Sequence, residues 1–528
     1  MHQWWHNDCV TSYQQKKQQS IFFVAIHFGE FVMKMRSSIL AALFASSMAL
    51  SASADQSIST DVVVVGAGAA GTAASYAAAE KGVKVVMLEK QAKTGGTGQF
   101  SEGIFAVESS LQREMNYTLT KDQAFKLIMD YSHWRANPKL VRAFVEKSAD
   151  SVEWLKNNGV EFEKLTSNYP GGLYTWHIYR GRGAGWINTL QDKYKAMGHP
   201  IMTETAVTEL IKENGKVVGV VAKNKEGEKI DIRAKAVVIA TGGFGNNKEM
   251  LEKYVRFPAA MPVANVGKTG DGIQMAWAAG AAAEGTEVVA SYRPGPVGES
   301  TTSHIGAAAK QPHLWLNPRG ERFADEGIIF QWPFAGNALE RQGGTMFVVF
   351  DQNTLDYMKT HGIDVGVGVM VPVTAKLDKF DEHFQRGAKN SIAFKANSID
   401  ELAKLTGMPV DTLKKTIARY NDNAAIRHDR DFAKDPKFLQ AVTKAPFYAI
   451  KSVATTLGTL GGVKVNENLQ AVNKQEEPIP GLYVVGNDAG GMYGDSYDLL
   501  MAGSTIGFAV NSGRIAGEHA AQNIKGSR

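Results

Sequence analysis

The alternation of apolar and polar positions divides the chain into segments of two kinds. Asp61 to Val65 is a short β-branched run that ends in glycines, Gly71 to Lys81 is alanine-rich, and Val83 to Leu88 is a second continuous apolar run. Uninterrupted apolar runs of this length are what strands covered on both faces require. The three segments together predict a parallel strand–helix–strand unit of about 30 residues. Helical periodicity follows from Lys121 to Asn158. Residues Val207 to Ile232 read as strands joined by turns at Glu213-Asn214-Gly215 and Glu226-Gly227. Ala236 to Ala240 is another buried strand, closed by Gly242-Gly243. From about Ser291 to Lys444, Gly, Pro and aromatic residues become frequent and the strand–helix alternation stops. Leu482 to Val485, a Gly-rich stretch to Gly507 and a final helix to Ala521 return to the earlier pattern. The expectation is an α/β fold in which residues 55–290 and 446–528 build one split domain, with residues 291–445 inserted as an α+β capping domain.

Residues 1–54 stand apart. Lys34 and Arg36 precede an apolar stretch from Ile39 to Leu50, then the small residues Ser51-Ala52-Ser53-Ala54. That order matches a cleavable export signal ending near Ala54, and the apolar stretch is shorter than the roughly 20 residues a membrane span needs. The expected location is the periplasm or another exported compartment, with translation starting at Met33 or Met35. The single cysteine, Cys9, lies upstream of the expected mature chain. An intrachain disulfide, a thiolate zinc site, an iron–sulfur cluster and a Cys-x-x-Cys-His haem are thereby excluded. A net charge of +5 spread over 528 residues gives no basic run of the kind that nucleic acid attracts. No spacing of His, Asp and Glu points to a metal.

Gly66-Ala67-Gly68-Ala69-Ala70-Gly71 is Gly-x-Gly-x-x-Gly placed between a strand and a helix, and Glu89 closes the second strand 18 residues after Gly71. A dinucleotide needs this layout. Gly66 makes the tight turn, Gly68 lets the backbone approach the pyrophosphate, Gly71 lets the helix pack on the strand, and the acid accepts the ribose hydroxyls. The helix N-terminus opposes the phosphate charge. Further along stand Glu89-Lys90, Gly95-Gly96-Thr97-Gly98, Ser101-Glu102-Gly103, Val238-Ile239-Ala240-Thr241-Gly242-Gly243, Thr269-Gly270-Asp271-Gly272 and Gly486-Asn487-Asp488. In order, these resemble the FAD motifs of the fumarate reductase and succinate dehydrogenase flavoprotein family. Asn317-Pro318-Arg319-Gly320-Glu321-Arg322-Phe323-Ala324-Asp325-Glu326 resembles another of its stretches. The resemblance covers nearly all of the expected mature chain. It implies a Rossmann-type FAD-binding domain interrupted by the cap. Gly95, Gly96 and Thr97 would line FAD together with Ser101, Gly103, Ala206 and Val207. Asp271 would hold a ribityl or ribose hydroxyl, and Ser504, Thr505 and Ile506 would meet the isoalloxazine. No histidine occupies Gly96-Thr97-Gly98-Gln99, so the resemblance implies non-covalent FAD.

The catalytic pattern departs from that family. Its His-Pro-Thr stretch falls near Tyr292-Arg293-Pro294, its Thr-Glu pair near Ile305-Gly306, and its proton-donating arginine near Gln331-Trp332. Its Gly-Gly-x-His-Gly becomes Gly490-Gly491-Met492-Tyr493-Gly494. A dicarboxylate needs bidentate cationic partners, so fumarate does not fit. Gly494-Asp495-Ser496-Tyr497 followed by Gly503-Ser504-Thr505-Ile506-Gly507 resembles the C-terminal motif of 3-ketosteroid Δ1-dehydrogenases, with a longer gap before the glycine. In that family a tyrosine and a glycine N–H polarise a ketone. The reading is hydride transfer from flavin N5 to a carbon–carbon double bond, with Tyr497 or Tyr493 as acid or polariser. Arg293 is the third candidate for that role, and Tyr292 and Trp332 would form an aromatic slot. His177 and His313 are read as structural. A freely exchanging NAD(P)H site beside FAD usually shows a second dinucleotide fingerprint, and the exported location also argues against NADH, so the expected donor is a separate redox partner such as a small cytochrome in anaerobic respiration. Two other readings stay open: a ketosteroid-type dehydrogenase, and a flavin electron-transfer protein without small-molecule chemistry.

Overall fold

In the computed structural model the described residues are 56–169, 171–256, 267–290, 293–368 and 370–527. The expected signal segment, Cys9 and Tyr292 lie outside them.

Four consecutive valines form β1 (Val62–Val65), each at most 5% exposed. An all-valine strand survives only if both of its faces are covered, and here they are. It lies parallel to β2 (Val85–Leu88) on one side and to β10 (Ala236–Ile239) on the other, with Val62 opposite Val85 and Ala236. Beyond β2 stands β6 (Ile201–Met202). Beyond β10 come β17 (Pro478–Val484), parallel, and β16 (Gln470–Val472), antiparallel. The six-stranded order is therefore β16-β17-β10-β1-β2-β6. Helix α1 (Ala69–Glu80) crosses between β1 and β2, and its residues from Ala69 to Ala79 are all buried. Against it lies α6 (Ser504–Gly526). A Cβ on Gly513 would sit 2.4 Å from the Ala70 carbonyl oxygen, and one on Gly517 would sit 2.3 Å from that of Ala74. The two helices thus approach more closely than any side chain permits. The helix starts at Ser504, earlier than the glycines predicted, because Gly503 adopts the left-handed conformation that caps it (φ 83°). Gly507 is inside the helix, where its lack of a side chain lets Phe105 pack on it.

The predicted meander is present as β7 (Ala206–Glu213), β8 (Lys216–Lys223) and β9 (Lys229–Arg233), paired antiparallel. Asn214 and Gly215 both have positive φ, as a two-residue hairpin turn demands. A smaller sheet joins β3 (Gly103–Phe105), β5 (Trp176–Tyr179) and β4 (Phe162–Thr166). The helical stretch includes α2 (Pro138–Asn157), and α3 (Arg182–Ala196) follows β5.

The inserted region has its own antiparallel sheet. Strand β15 (Phe447–Thr455) pairs along one edge with β13 (Thr345–Asp351), and along the other with β11 (Arg293–Gly295) and β14 (Ala393–Ala396). β12 (Leu314–Leu316) flanks β13, and α5 (Trp332–Arg341) lies between the two in the chain. A separate core of Leu314, Leu316, Phe347, Leu402, Leu413 and Phe447 sits beneath it. Because β15 belongs to this sheet, the chain re-enters the first sheet after Thr455 rather than at residue 446. The split α/β architecture with an α+β insertion is the one expected.

Candidate active site

The turn after β1 is shaped by what glycine lacks. Gly66 has φ 105°, and a Cβ there would lie 2.4 Å from the Ala240 carbonyl oxygen. A Cβ on Gly71 would lie 1.8 Å from the Gly66 carbonyl oxygen. Gly68 is different: the nearest atom to its missing Cβ is the Gly95 oxygen, 4.0 Å away. The first and third glycines therefore serve packing, and the middle one leaves backbone open at the N-terminus of α1. Gly95 and Gly96, both with positive φ, lie against this opening, and the Gly95 N–H donates to the Ala67 carbonyl at 2.8 Å. Ala69 and Ala70 begin the helix, and Thr97 lies half-buried in the facing turn. An opening walled by bare backbone at a helix N-terminus fits a pyrophosphate.

The sugar end is marked by Glu89 and Lys90. The Glu89 carboxylate accepts from the N–H groups of Ala67 (3.0 Å) and Gln91 (2.9 Å), which fixes it at the end of β2. Lys90 Nζ meets Asp271 Oδ2 and Thr269 Oγ1, both at 2.6 Å. Asp271 is the first residue of α4 (Asp271–Ala278), beyond the left-handed Gly270. Ala206 and Val207 open β7 beside Glu89, whose carbonyl accepts from Thr205 N–H at 2.9 Å. At the ends of β10 and β17, the buried Asp488 carboxylate gathers Thr241 N–H, Thr241 Oγ1 (2.9 Å), Gly242 N–H (3.2 Å) and Gly243 N–H (2.7 Å). Gly486 N–H donates to Ser512 Oγ at 3.0 Å, which ties this turn to α6, and Asn487 stands half-buried between the two. The buried Lys268 packs against Gly242 and donates to the Leu457 carbonyl at 3.2 Å; burial pulls its pKa down to about 8. Ser101 Oγ donates to the Gly98 carbonyl at 2.7 Å. Gly103 has a pairing role, since a Cβ there would lie 2.4 Å from the His177 carbonyl of β5.

The other end of this seat is the start of α6. Gly503 fits under β3, and a Cβ on it would strike Phe105 N and Trp176 Cδ1. Just beyond, the hydroxyls of Tyr493 and Tyr497 share hydrogen bonds with the side chains of Ser504 and Thr505. The two phenol rings are 5.4 Å apart, and Ile506 follows on the half-buried side of the helix. Burial raises both phenol pKa values. On the far side of Tyr497 lies Arg293, buried in β11. Its guanidinium stacks 4.0 Å over the Trp332 ring and donates to Thr301 Oγ1 at 3.3 Å. Burial lowers its pKa to about 10, against the opposing pull of Glu102 and Tyr497. The structure thus brings Tyr493 and Tyr497 together with Arg293 and Trp332, although the two pairs are more than 150 residues apart in the chain.

A cavity of about 300 Å³ lies alongside, walled by Tyr169, Trp176, Phe330, Trp332, Val365, Pro372 and Val373. Arg293 stands behind this wall, stacked on Trp332, and Tyr493 and Tyr497 are not among its lining residues. Four neighbours were not legible in the sequence. Tyr131 donates to the Tyr497 carbonyl at 3.1 Å, and Tyr169 bonds Gln331. Lys310 lies buried near Arg293, its pKa pushed well down by burial. Asp498 is buried beside all four tyrosines, and desolvation lifts its carboxyl to about 7. His177 is structural as read, with Nε2 2.7 Å from Ser109 Oγ and Nδ1 3.0 Å from the Thr175 carbonyl. His313 is buried near Phe350, where burial holds its pKa down to about 3.

The FAD binding domain family matches residues 61–500. The chain is 38% identical over 479 residues to the vinyl phenol reductase of Lactiplantibacillus plantarum, covering 88% of this chain and 97% of that protein. The open conformation of a flavocytochrome c3 fumarate reductase superposes with a TM-score of 0.69 at 28% identity, covering 93% of this chain and 81% of that one. The 3-ketosteroid Δ1-dehydrogenase from Sterolibacterium denitrificans, solved with 1,4-androstadiene-3,17-dione, gives a TM-score of 0.75 at 22% identity. It covers 88% of this chain and 100% of that one, a likeness of fold.

Proposed function

Since the chain belongs to the FAD-binding flavoproteins of the fumarate reductase and succinate dehydrogenase family, with FAD as its cofactor, we propose that it reduces the carbon–carbon double bond of a small, uncharged aryl alkene or enone. The observation that carries this reading is the aromatic cavity. Tyr169, Trp176, Phe330 and Trp332 offer flat apolar walls, and Trp176 touches Gly503 at the foot of the helix expected to meet the flavin. A volume of about 300 Å³ is at the small end of ligand pockets, which suits one ring better than a four-ring steroid. Arg293 is the guanidinium stacked on Trp332 among the described residues, where a dicarboxylate would need forked cationic partners from several sides. The identity to a vinyl phenol reductase supports the same substrate class.

When bound and reduced, FAD supplies a hydride. The residues of this chain supply the rest. Tyr497 delivers the proton to the alkene carbon that does not take the hydride. Its oxygen is held by Ser504 and Thr505 at the N-terminus of α6, where the helix dipole stabilises negative charge as the proton leaves. Trp176 and Trp332 exclude water and hold the ring flat.

Tyr497→Phe is expected to retain FAD and to slow reoxidation of the photoreduced flavin by substrate at least ~10²-fold in a single turnover; an unchanged rate removes Tyr497 from the chemistry. Electrons are proposed to come from a separate redox partner, since one dinucleotide seat is present among the described residues. Turnover with reduced viologen and none with NADH supports this, and rapid NADH oxidation by the pure protein overturns it. Export is proposed from the Lys34–Ala54 pattern, and N-terminal sequencing of the mature protein should begin near Asp55.

A further inference from the structure

Asp498 is 3% exposed. Its Oδ1 accepts from the Leu500 N–H at 2.7 Å and the Met501 N–H also faces the carboxylate, whereas Oδ2 is buried without a hydrogen bond. Among the described residues no cation lies within ion-pair distance of it. Nearby, Gln331 Oε1 is also buried without a partner, and the side chain between these two groups is Tyr169, a wall of the cavity that bonds Gln331 and feels the charge of Asp498. Two buried acceptors with nothing to accept is costly, unless a guest supplies the donor. The guest that suits them has an apolar ring for the aromatic walls and a hydroxyl for the acceptors.

That chemistry resolves a difficulty in the function proposed above, on which this inference rests. A vinyl group on a phenol has no carbonyl to take up the electron pair that a hydride brings. The phenol oxygen can play that part only after it has lost its proton. We propose that Asp498 is the base that takes the phenolic proton of a para-hydroxyaryl alkene. The released oxygen pair pushes through the ring to the terminal CH2, which takes a proton from Tyr497 and leaves a quinone methide. Its benzylic carbon accepts the hydride that reduced FAD supplies, the ring regains aromaticity, and the oxygen recovers its proton from Asp498. The alkene gains one hydride and one proton, FAD is oxidised, and Tyr497 is reprotonated from water. A base of this kind works in its ionised form, so the rate for a phenolic substrate rises with pH through about 7. The groups facing Asp498 are Tyr131, Tyr169, Tyr493 and Tyr497, whose pKa values burial raises above the ordinary 10, with Arg293 beyond Tyr497. None of these changes charge in that window.

The test uses the photoreduced holoprotein, mixed anaerobically with 4-vinylphenol, its O-methyl ether 4-methoxystyrene, or cyclohexenone. The expected result is fast flavin reoxidation by 4-vinylphenol with a rise centred near pH 7, and reoxidation by 4-methoxystyrene at least ~10²-fold slower. Asp498→Asn should lose the 4-vinylphenol rate by a similar factor, together with the pH step, so that the phenol reacts no faster than its methyl ether. A readout independent of turnover is tryptophan quenching by the product-like pair 4-ethylphenol and 4-ethylanisole. The native protein should prefer the phenol by about tenfold, and Asp498→Leu should erase the preference. Equal rates with 4-vinylphenol and 4-methoxystyrene, or an Asp498→Asn variant with native rate and pH profile, overturn the role of Asp498 alone. A native protein that no alkene reoxidises overturns the proposed function itself.

Discussion

Arg322→Leu is expected to destabilise the inserted region by about 3–5 kcal/mol, the usual cost of removing one member of a buried ion network. The guanidinium donates to both oxygens of Glu326, from Nε at 2.8 Å and from an amino nitrogen at 2.7 Å. It donates to both oxygens of Asp429 at 2.8 Å. Lys434 Nζ lies 3.1 Å from Glu326, and the side chains of the four groups are at most 5% exposed. Two positive and two negative charges balance. Leucine in place of arginine leaves a net negative charge in a dry site and removes four charge-assisted hydrogen bonds. Glu326 would keep Lys434 and the Trp315 N–H, and Asp429 would keep the N–H groups of Asp431 and Lys434, which is why the loss stays well below the sum of four separate bonds. The assay is a urea midpoint for the native and variant proteins between pH 7 and pH 2. Arg322 holds the Asp429 carboxyl down to about 2, so its contribution is present above the ordinary carboxylate range and is lost as pH falls through 2. The two proteins should therefore converge in acid. A loss below about 1 kcal/mol at pH 7, or a gap that does not change with pH, would refute the reasoning.

Two further outcomes follow from the seat. Gly71→Ala should yield a colourless protein that does not take up FAD, because the added methyl carbon would stand 1.8 Å from the Gly66 carbonyl oxygen; visible flavin absorbance of the purified protein reads this directly. Lys268→Met changes how stability depends on alkali. With a native pKa of about 8 and an ordinary value of 10.5, the folded chain sheds this proton first, so the native protein gains stability as pH rises from 8 to 10.5. The whole gap is worth roughly 3 kcal/mol, and urea midpoints of the methionine variant should lack that rise.

The cofactor half was legible because its glycines stand at the short spacing that one strand-to-helix turn imposes. Gly71 is constrained within that turn by Gly66, whereas the atom that bars a side chain on Gly66 belongs to the distant Ala240; Val62 to Val65 announces a two-sided strand without help from the rest of the chain. Tyr493, Tyr497 and Arg293 were found through the motifs that surround them. Asp498 lay next to Tyr497 in plain view, yet its character depends on burial, and burial there is produced by Tyr131, Tyr169 and Gln331, which no spacing connects. The start of α6 was misplaced because Gly503 and Gly507 look alike in sequence; one is a left-handed cap, the other a contact point for Phe105. The expected return from the insertion at residue 446 precedes β15, which pairs with β13, β11 and β14 of the inserted sheet, and strand partners are not written in a strand's own sequence.

The order of strands has a consequence for biosynthesis. β10 is held between β1, made early, and β17, made more than 400 residues later, and α1 is covered by α6 through glycine contacts. A nascent chain on the ribosome therefore has a valine strand and an alanine helix with half their cover missing until the segment from Pro478 to Gly526 has emerged. Loading of the yellow nucleotide must wait for that segment. Until then the unfinished polypeptide exposes apolar surface and an unpaired strand edge of the kind that invites aggregation.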